Sequence, residues 1–208
     1  TEGMSPTWLT PIRLFLAGLI LCAYYAIRSP KLLIAPWKSP RDAVDLLIYG
    51  IAGVSCCQFL YFLTIDLSSA GIATILQDVG RGALGAGVLC AVCVVIYTMW
   101  PKRLQSKYPT PMLQGWAFLM GGVLFCLLFR PWEQGYVPGP MGYVGIATVV
   151  CVGNLLAFCC YMQGVKLIGP QKSSLYSFAE PASAALISTL VLGSPFTLWD
   201  ALGFGCIF

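Results

Sequence analysis

The sequence MLQGWAFLMGGVLFCLLF, residues 112–129, contains no charged side chain over eighteen consecutive positions. An α-helix rises about 1.5 Å per residue, so this run crosses most of the roughly 30 Å hydrocarbon core of a bilayer. Further runs are long and apolar enough to do the same: Leu9–Ile27, Val44–Thr64, Ala83–Trp100, Met141–Tyr161 and Ser173–Leu192. The sequence therefore predicts an all-α fold, a polytopic bundle of transmembrane helices.

The composition supports the same class. Of 208 residues, 58% are hydrophobic and only 10% are charged, against about 25% charged residues in a typical soluble domain. A formal net charge of +4 is too sparse for binding nucleic acid. The absence of histidine excludes imidazole metal sites and the Ser-His-Asp triad, and no cofactor is expected. The chain is predicted to be an integral membrane protein in contact with the lipid bilayer.

Basic side chains indicate the orientation in the membrane. Nine of the twelve Lys and Arg residues lie in three loops: residues 28–41, 102–107 and 166–172. Because cytoplasmic loops are enriched in Lys and Arg, these loops are expected inside, in a bacterial plasma (inner) membrane. The remaining three basic residues are then expected on the outer side: Arg13, Arg81 and Arg130.

Residues 65–82 do not fit this alternation. Val44–Thr64 ends on the outer side and Ala83–Trp100 must begin there, so the connection crosses the membrane twice or not at all. It is too short to cross twice at helical rise. Either Ser68–Gln77 is a re-entrant segment, or part of the chain is missing at this point. The terminal run Thr197–Phe208 is also too short for a full span.

An internal repeat appears at an offset of 100 residues. Nine identities fall at this offset, among them Thr10-Pro11 with Thr110-Pro111. Hydrophobic runs align with hydrophobic runs, whereas the loop charges do not, so the halves are predicted to cross the membrane in opposite directions. Inverted-topology repeats of this kind are typical of secondary transporters.

The repeat also predicts the domain organisation. The first half is assigned to residues 1–77, a junction to residues 78–82 and the second half to residues 83–208. Compared with the second half, the first lacks its opening helix and its last one and a half helices. The last helix of the second half is truncated, so the two inverted repeats are expected to be incomplete.

Several short motifs follow one another in a recognisable order: Thr10–Leu21, Gln58–Gln77, Tyr97 with Lys102-Arg103-Leu104, Phe118–Gly122, Asn154–Tyr161, Glu180-Pro181 and Leu190–Gly193. In this order the chain resembles the drug/metabolite transporter superfamily, specifically its EamA-type members. The resemblance implies ten helices in two inverted five-helix halves and transport of small metabolites, such as amino acids, or of drug-like compounds. The chain departs from the family at Gly193-Ser194-Pro195, where members often carry a Gly-Glu pair.

Glu180 is the first candidate for a binding residue. A carboxylate inside a membrane helix costs about 2.5–3.5 kcal/mol, so it usually faces protein or water. Ser173, Ser177 and Glu180 share one helix face, and Pro181 permits a kink beside them. Glu180 could bind substrate or take up a coupling proton. The alternative is a structural hydrogen bond to a neighbouring helix.

Other polar and aromatic side chains form two further faces. Asn154 and Tyr161 are spaced by seven residues on one predicted helix, and Gln58 precedes Tyr61 by three on another. Polar and aromatic groups together suit a site for a small organic molecule, although amides also join membrane helices by hydrogen bonds. Asp78 is the approximate counterpart of Glu180 if the halves slip by two residues.

The leading hypothesis is a secondary transporter that works by alternating access between its two repeats. The alternative is a non-transporting accessory or degenerate membrane protein. A membrane enzyme is disfavoured because the eight acidic residues are scattered, and an inverted repeat disfavours a seven-helix receptor. The substrate, the coupling ion and a homodimer remain open.

Overall fold

The computed structural model describes residues 5–69, 76–135 and 138–177, together with Ser183. All regular structure in these ranges is helical, which confirms the all-α prediction. The α-helices are α1 Pro6–Arg28, α2 Pro30–Ile34, α3 Pro40–Leu47, α4 Cys56–Ser69, α5 Leu76–Met99, α6 Lys102–Lys107, α7 Thr110–Phe129, α8 Pro140–Thr148, α9 Cys159–Ile168 and α10 Pro170–Ser177. Wider π-helical segments at Ile48–Ser55 and Val149–Phe158 join α3 to α4 and α8 to α9.

Five helical stretches among the described residues are long and apolar enough to cross a membrane: Thr7–Arg28, Pro40–Tyr61, Gly85–Lys107, Thr110–Phe129 and Pro140–Ile168. They correspond to five of the six runs predicted from hydropathy. The sixth run, Ser173–Leu192, lies largely outside the described residues, and so does Thr197–Phe208. The connection at residues 65–82 is described only on either side of residues 70–75.

The chain divides into two compact units, residues 1–163 and 164–208. The first unit holds α1 to α8 and supplies the contacts considered below. Of the second unit, the structure describes the end of α9, the helix α10 and Ser183.

Two stretches of the first unit repeat the same order of elements. One α-helix begins at Pro40 and another at Pro140, and each leads into a π-helical segment, Ile48–Ser55 or Val149–Phe158. Proline suits the first turn of a helix because its missing N–H has no partner there. The two helix starts are separated by 100 residues, the offset of the predicted sequence repeat.

α1 and α7 are antiparallel and pack with their backbones in contact. A Cβ added to Gly122, late in α7, would collide with the backbone of Phe15, early in α1. A Cβ added to Gly115, early in α7, would meet Leu21, late in α1. Small residues at such positions let membrane helices approach closely. This helix pair forms the centre of the first unit.

One end of the first unit brings together two of the three basic loops. The Trp116 indole N–H donates to the Leu33 carbonyl oxygen at 3.0 Å, and the Trp37 and Trp116 rings meet edge to face at 5.2 Å. Arg103 pairs with Asp42, next to the first basic loop, so residues 28–41 and 102–110 meet at one end, called here the basic end. Trp8 and Trp132 lie together at the opposite end. Tryptophan at both ends is typical of membrane–water interfaces.

The outer surface of the helices is apolar. Valines and leucines of α5 are 52–59% exposed, namely Val88, Leu89, Val92 and Val95. A soluble protein rarely shows a continuous apolar surface of this kind. The bilayer is the environment that would cover it.

A buried hydrogen bond joins the first π-helical segment to α7. Tyr49 Oη donates to Gln114 Oε1, and both side chains are almost fully buried. Tyr49→Phe is therefore expected to lower the free energy of unfolding by about 0.6–1.7 kcal/mol, measured as a lower Tm in detergent. Tyr143→Phe, at a position that is 57% exposed, is the matched control. An equal shift in both variants would contradict the buried bond.

Candidate functional site

A buried arginine connects three elements in the interior of the first unit. Arg13 lies in α1 and is only 3% exposed. One guanidinium nitrogen donates to Gln58 Oε1 of α4 at 2.6 Å. The other donates to Asn154 Oδ1 of the segment Val149–Phe158 at 3.3 Å. These three residues are called here the Arg13 cluster.

The electrostatic environment of the Arg13 cluster is unusual for a membrane helix. Hydrogen bonds from a charged donor are about twice as strong as neutral ones, and both bonds described here end on neutral amide oxygens. Asn154 is 1% exposed, and its side-chain Nδ2 has no acceptor among the described residues. An ionisable group inside a membrane bundle is a functional-site hypothesis by default.

Aromatic rings continue from the Arg13 cluster along the same segment. Phe158 follows Asn154 by four residues, and its ring centre lies 5.5 Å from that of Tyr97 and 5.6 Å from that of Phe118. The ring centre of Tyr161 lies 6.4 Å from the ring centres of both Tyr97 and Phe158. This region thus combines a guanidinium, amides and aromatic rings, side-chain types that also occur in sites for small molecules.

Three of the predicted site residues fall in this region. Gln58 and Asn154, predicted on separate helix faces, are brought together by their shared donor Arg13. Tyr161 lies beyond Phe158 in the aromatic part of the same region. Tyr61, one turn after Gln58, is 46% exposed.

The structure gives less information on the other three predicted site residues. Asp78 lies in the first turn of α5, and Ser177 is the last residue of α10 in the second unit. Glu180 lies outside the described residues. Ser173, on the same predicted face as Ser177 and Glu180, is 4% exposed.

The prediction that Arg13 lies toward the outer side stays a prediction; the structure adds that Arg13 belongs to α1 and that its side chain is buried among the helices. The sequence feature that could have indicated this burial is the position of Arg13 inside the apolar run Leu9–Ile27, because charged residues are rare in membrane helices and usually face the bundle interior. Tyr97 and Phe118 were also missed as site residues. No sequence signal separates them from ordinary core aromatics.

Two other kinds of site, a metal site and a surface groove, were considered in the described part of the chain. No group of three or more His, Cys, Asp or Glu residues that could hold a metal ion occurs in the described ranges. An open groove of about 610 Å³ lies at the opposite end, between α1 and α7. Its lining, which includes Phe15, Leu127 and Trp132, contains no charged side chain and no member of the Arg13 cluster.

Comparison with known proteins adds family evidence. A sequence model of the EamA-like transporter family matches residues 1–79 and 81–208. The chain is 30% identical over 246 aligned positions to an uncharacterized inner membrane transporter, YicL, of Salmonella typhimurium strain LT2. The alignment covers 96% of this chain and 82% of that relative. No solved structure matches the chain significantly.

Proposed function

Because the chain belongs to the EamA-like transporter family, we propose that it carries a small organic molecule across the bacterial inner membrane by alternating access. Amino acids and drug-like compounds are the substrate classes to test first. The single observation that carries the proposal is the Arg13 cluster. It joins buried Arg13 and Asn154 with partly buried Gln58, and so brings together polar groups from both predicted halves of the chain within an apolar bundle.

Two inverted repeats are part of this proposal. The two family matches lie on either side of residue 80, within the predicted junction 78–82. α1 and α7, which correspond at an offset of 100, pack antiparallel, and helices begin at both Pro40 and Pro140. Repeats of opposite orientation that rock around a central site are the basis of alternating access in many carriers.

The proposed binding site consists of the Arg13 cluster and the neighbouring aromatic rings. Asn154 Nδ2 is a buried donor with no acceptor among the described residues, so an acceptor on a substrate would satisfy it. Tyr161 would contact an apolar part of the substrate. Ser177, Glu180 and Asp78 remain candidates, with Glu180 as the group that would bind a coupling proton.

Ligand-dependent stabilisation tests the proposal. The purified protein would be screened by thermal unfolding against amino acids and small aromatic drug-like compounds. A compound at about 100 times its Kd stabilises the native state by about 2.7 kcal/mol, which corresponds to several degrees in Tm for a chain of this size. Compounds that raise Tm would then be tested for transport in proteoliposomes.

Asn154→Ala is expected to remove the stabilisation by that compound. Leu156→Ala is the matched control, because Leu156 lies in the same π-helical segment but is 61% exposed. If no compound raises Tm and none is transported, the non-transporting accessory function is favoured instead. If Asn154→Ala binds as well as the control, the site lies elsewhere.

A further inference from the structure

A second polar cluster lies at the basic end, remote from the Arg13 cluster. Asp42 Oδ1 is 2.7 Å from an Arg103 guanidinium nitrogen, and its Oδ2 is 3.1 Å from Lys107 Nζ. The Tyr108 hydroxyl donates to the same Oδ2 at 3.1 Å. Arg103 also pairs with Asp45 at 2.8 Å. These five residues are called here the Asp42 cluster.

The acceptor and the donors differ in exposure. The Asp42 side chain is 3% exposed, whereas those of Arg103 and Lys107 are 43% and 50% exposed. Asp42 depends on the side chains that cover it, since removal of a partner leaves an uncompensated charge. Burial and the bond to Asp42 raise the pKa of the Tyr108 hydroxyl, so it remains a donor at physiological pH.

The Asp42 cluster joins elements that are far apart in the chain. Asp42 lies in the first turn of α3, where the helix dipole favours a negative charge. Arg103 and Lys107 belong to α6, beyond the junction predicted at residues 78–82. Arg130 and Glu133, by contrast, form an ion pair within a single segment at the other end.

We infer that Asp42 is a positioning residue whose cluster latches the two halves together at the basic end and opens during each transport cycle. The inference rests on the proposed function, because rocking of the halves would separate α3 from α6. A latch must be stable enough to close one end yet weak enough to open. The half-exposed donors Arg103 and Lys107 allow the cluster to open at low cost, because water replaces the carboxylate as their partner when the cluster separates.

Hydrogen–deuterium exchange in nanodiscs tests the latch without any substrate. It also avoids cysteine labelling, which the ten native cysteines would complicate. Asp42→Asn is expected to raise amide exchange about tenfold in peptides covering residues 38–47 and 100–110. Peptides covering residues 5–13 and 126–135 are expected to exchange no faster. The matched control, Glu133→Gln, breaks the pair with Arg130 and is expected to leave the basic end unchanged.

The double variant Arg103→Gln/Lys107→Gln is the second test if Asp42→Asn does not fold. Both donors are about half exposed, and the same faster exchange at the basic end is expected. An equal rise at both ends would mean general destabilisation and would overturn the latch, as would no change. The result does not depend on transport: failure of every compound to bind would count against the proposed function, whereas unchanged exchange would count against the latch alone.

Discussion

Replacement of Arg13 by methionine is expected to lower the free energy of unfolding by about 2–4 kcal/mol and to abolish binding of any transported compound. The stability loss follows because the oxygens of partly buried Gln58 and fully buried Asn154 would lose a charged donor. An unsatisfied buried polar group costs about 1–3 kcal/mol. Thermal unfolding in detergent and ligand-dependent stabilisation measure the two effects separately.

A triple variant separates the structural from the functional contribution of the Arg13 cluster. In Arg13→Met/Gln58→Met/Asn154→Leu all three polar partners become apolar. Replacement of hydrogen-bonded polar partners inside a protein by apolar groups of similar volume is often neutral or stabilising, so Tm is expected to recover much of the loss. Binding of a transported compound should not recover. If the triple variant still binds as the wild type does, the Arg13 cluster only joins helices.

The membrane-spanning helices could be predicted because the bilayer imposes a simple rule on the sequence. A span needs about 20 apolar residues whatever surrounds it, and Thr110–Phe129 satisfies this rule by itself. The π-helical segments could not be predicted, since α and π turns differ by one residue in hydrogen-bond spacing and leave little trace in composition. Their position, each directly after an α-helix that begins at a proline, is apparent only from coordinates.

The site could be predicted in part. Asn154 and Gln58 could be predicted as candidates because amide side chains are costly in an apolar helix. The sequence around each residue does not indicate that both accept hydrogen bonds from Arg13. Arg13 is 45 positions from Gln58 and 141 from Asn154. The orientation rule counts Lys and Arg in loops, so it gave no indication that Arg13 is buried within the helix bundle.

The Asp42 cluster shows the same limit. Residues 28–41 and 102–107 were predicted on one side of the membrane from their basic residues, and the structure brings the two segments together. The acidic partner was not anticipated, because Asp42 is 61 positions from Arg103 and carries no distinctive local pattern. Orientation rules use the numbers of Lys and Arg, whereas ion pairs depend on tertiary packing.

The contact between α1 and α7 leads to the second large effect. Gly122→Ala adds one methyl group that would collide with the backbone of Phe15. A side chain could relieve such a clash by changing its rotamer, but a helix backbone cannot. Gly18→Ala would collide in the same way with the backbone of Leu119. Overpacking of this kind costs about 1–3 kcal/mol, occasionally more. Each variant is therefore expected to lower Tm by about 2–4 °C per kcal/mol lost.

The control for these variants is the same chemical change at an open position. A Cβ added to Gly145, in α8, has no neighbour within 4 Å, so Gly145→Ala adds only the higher helix propensity of alanine, worth up to about 1 kcal/mol. Tm should rise slightly or stay constant in this variant and fall in Gly122→Ala. Tm changes of opposite sign for the same Gly→Ala substitution at two positions exclude a general effect of alanine in these helices. Equal Tm values would mean that the α1 and α7 backbones are not in contact.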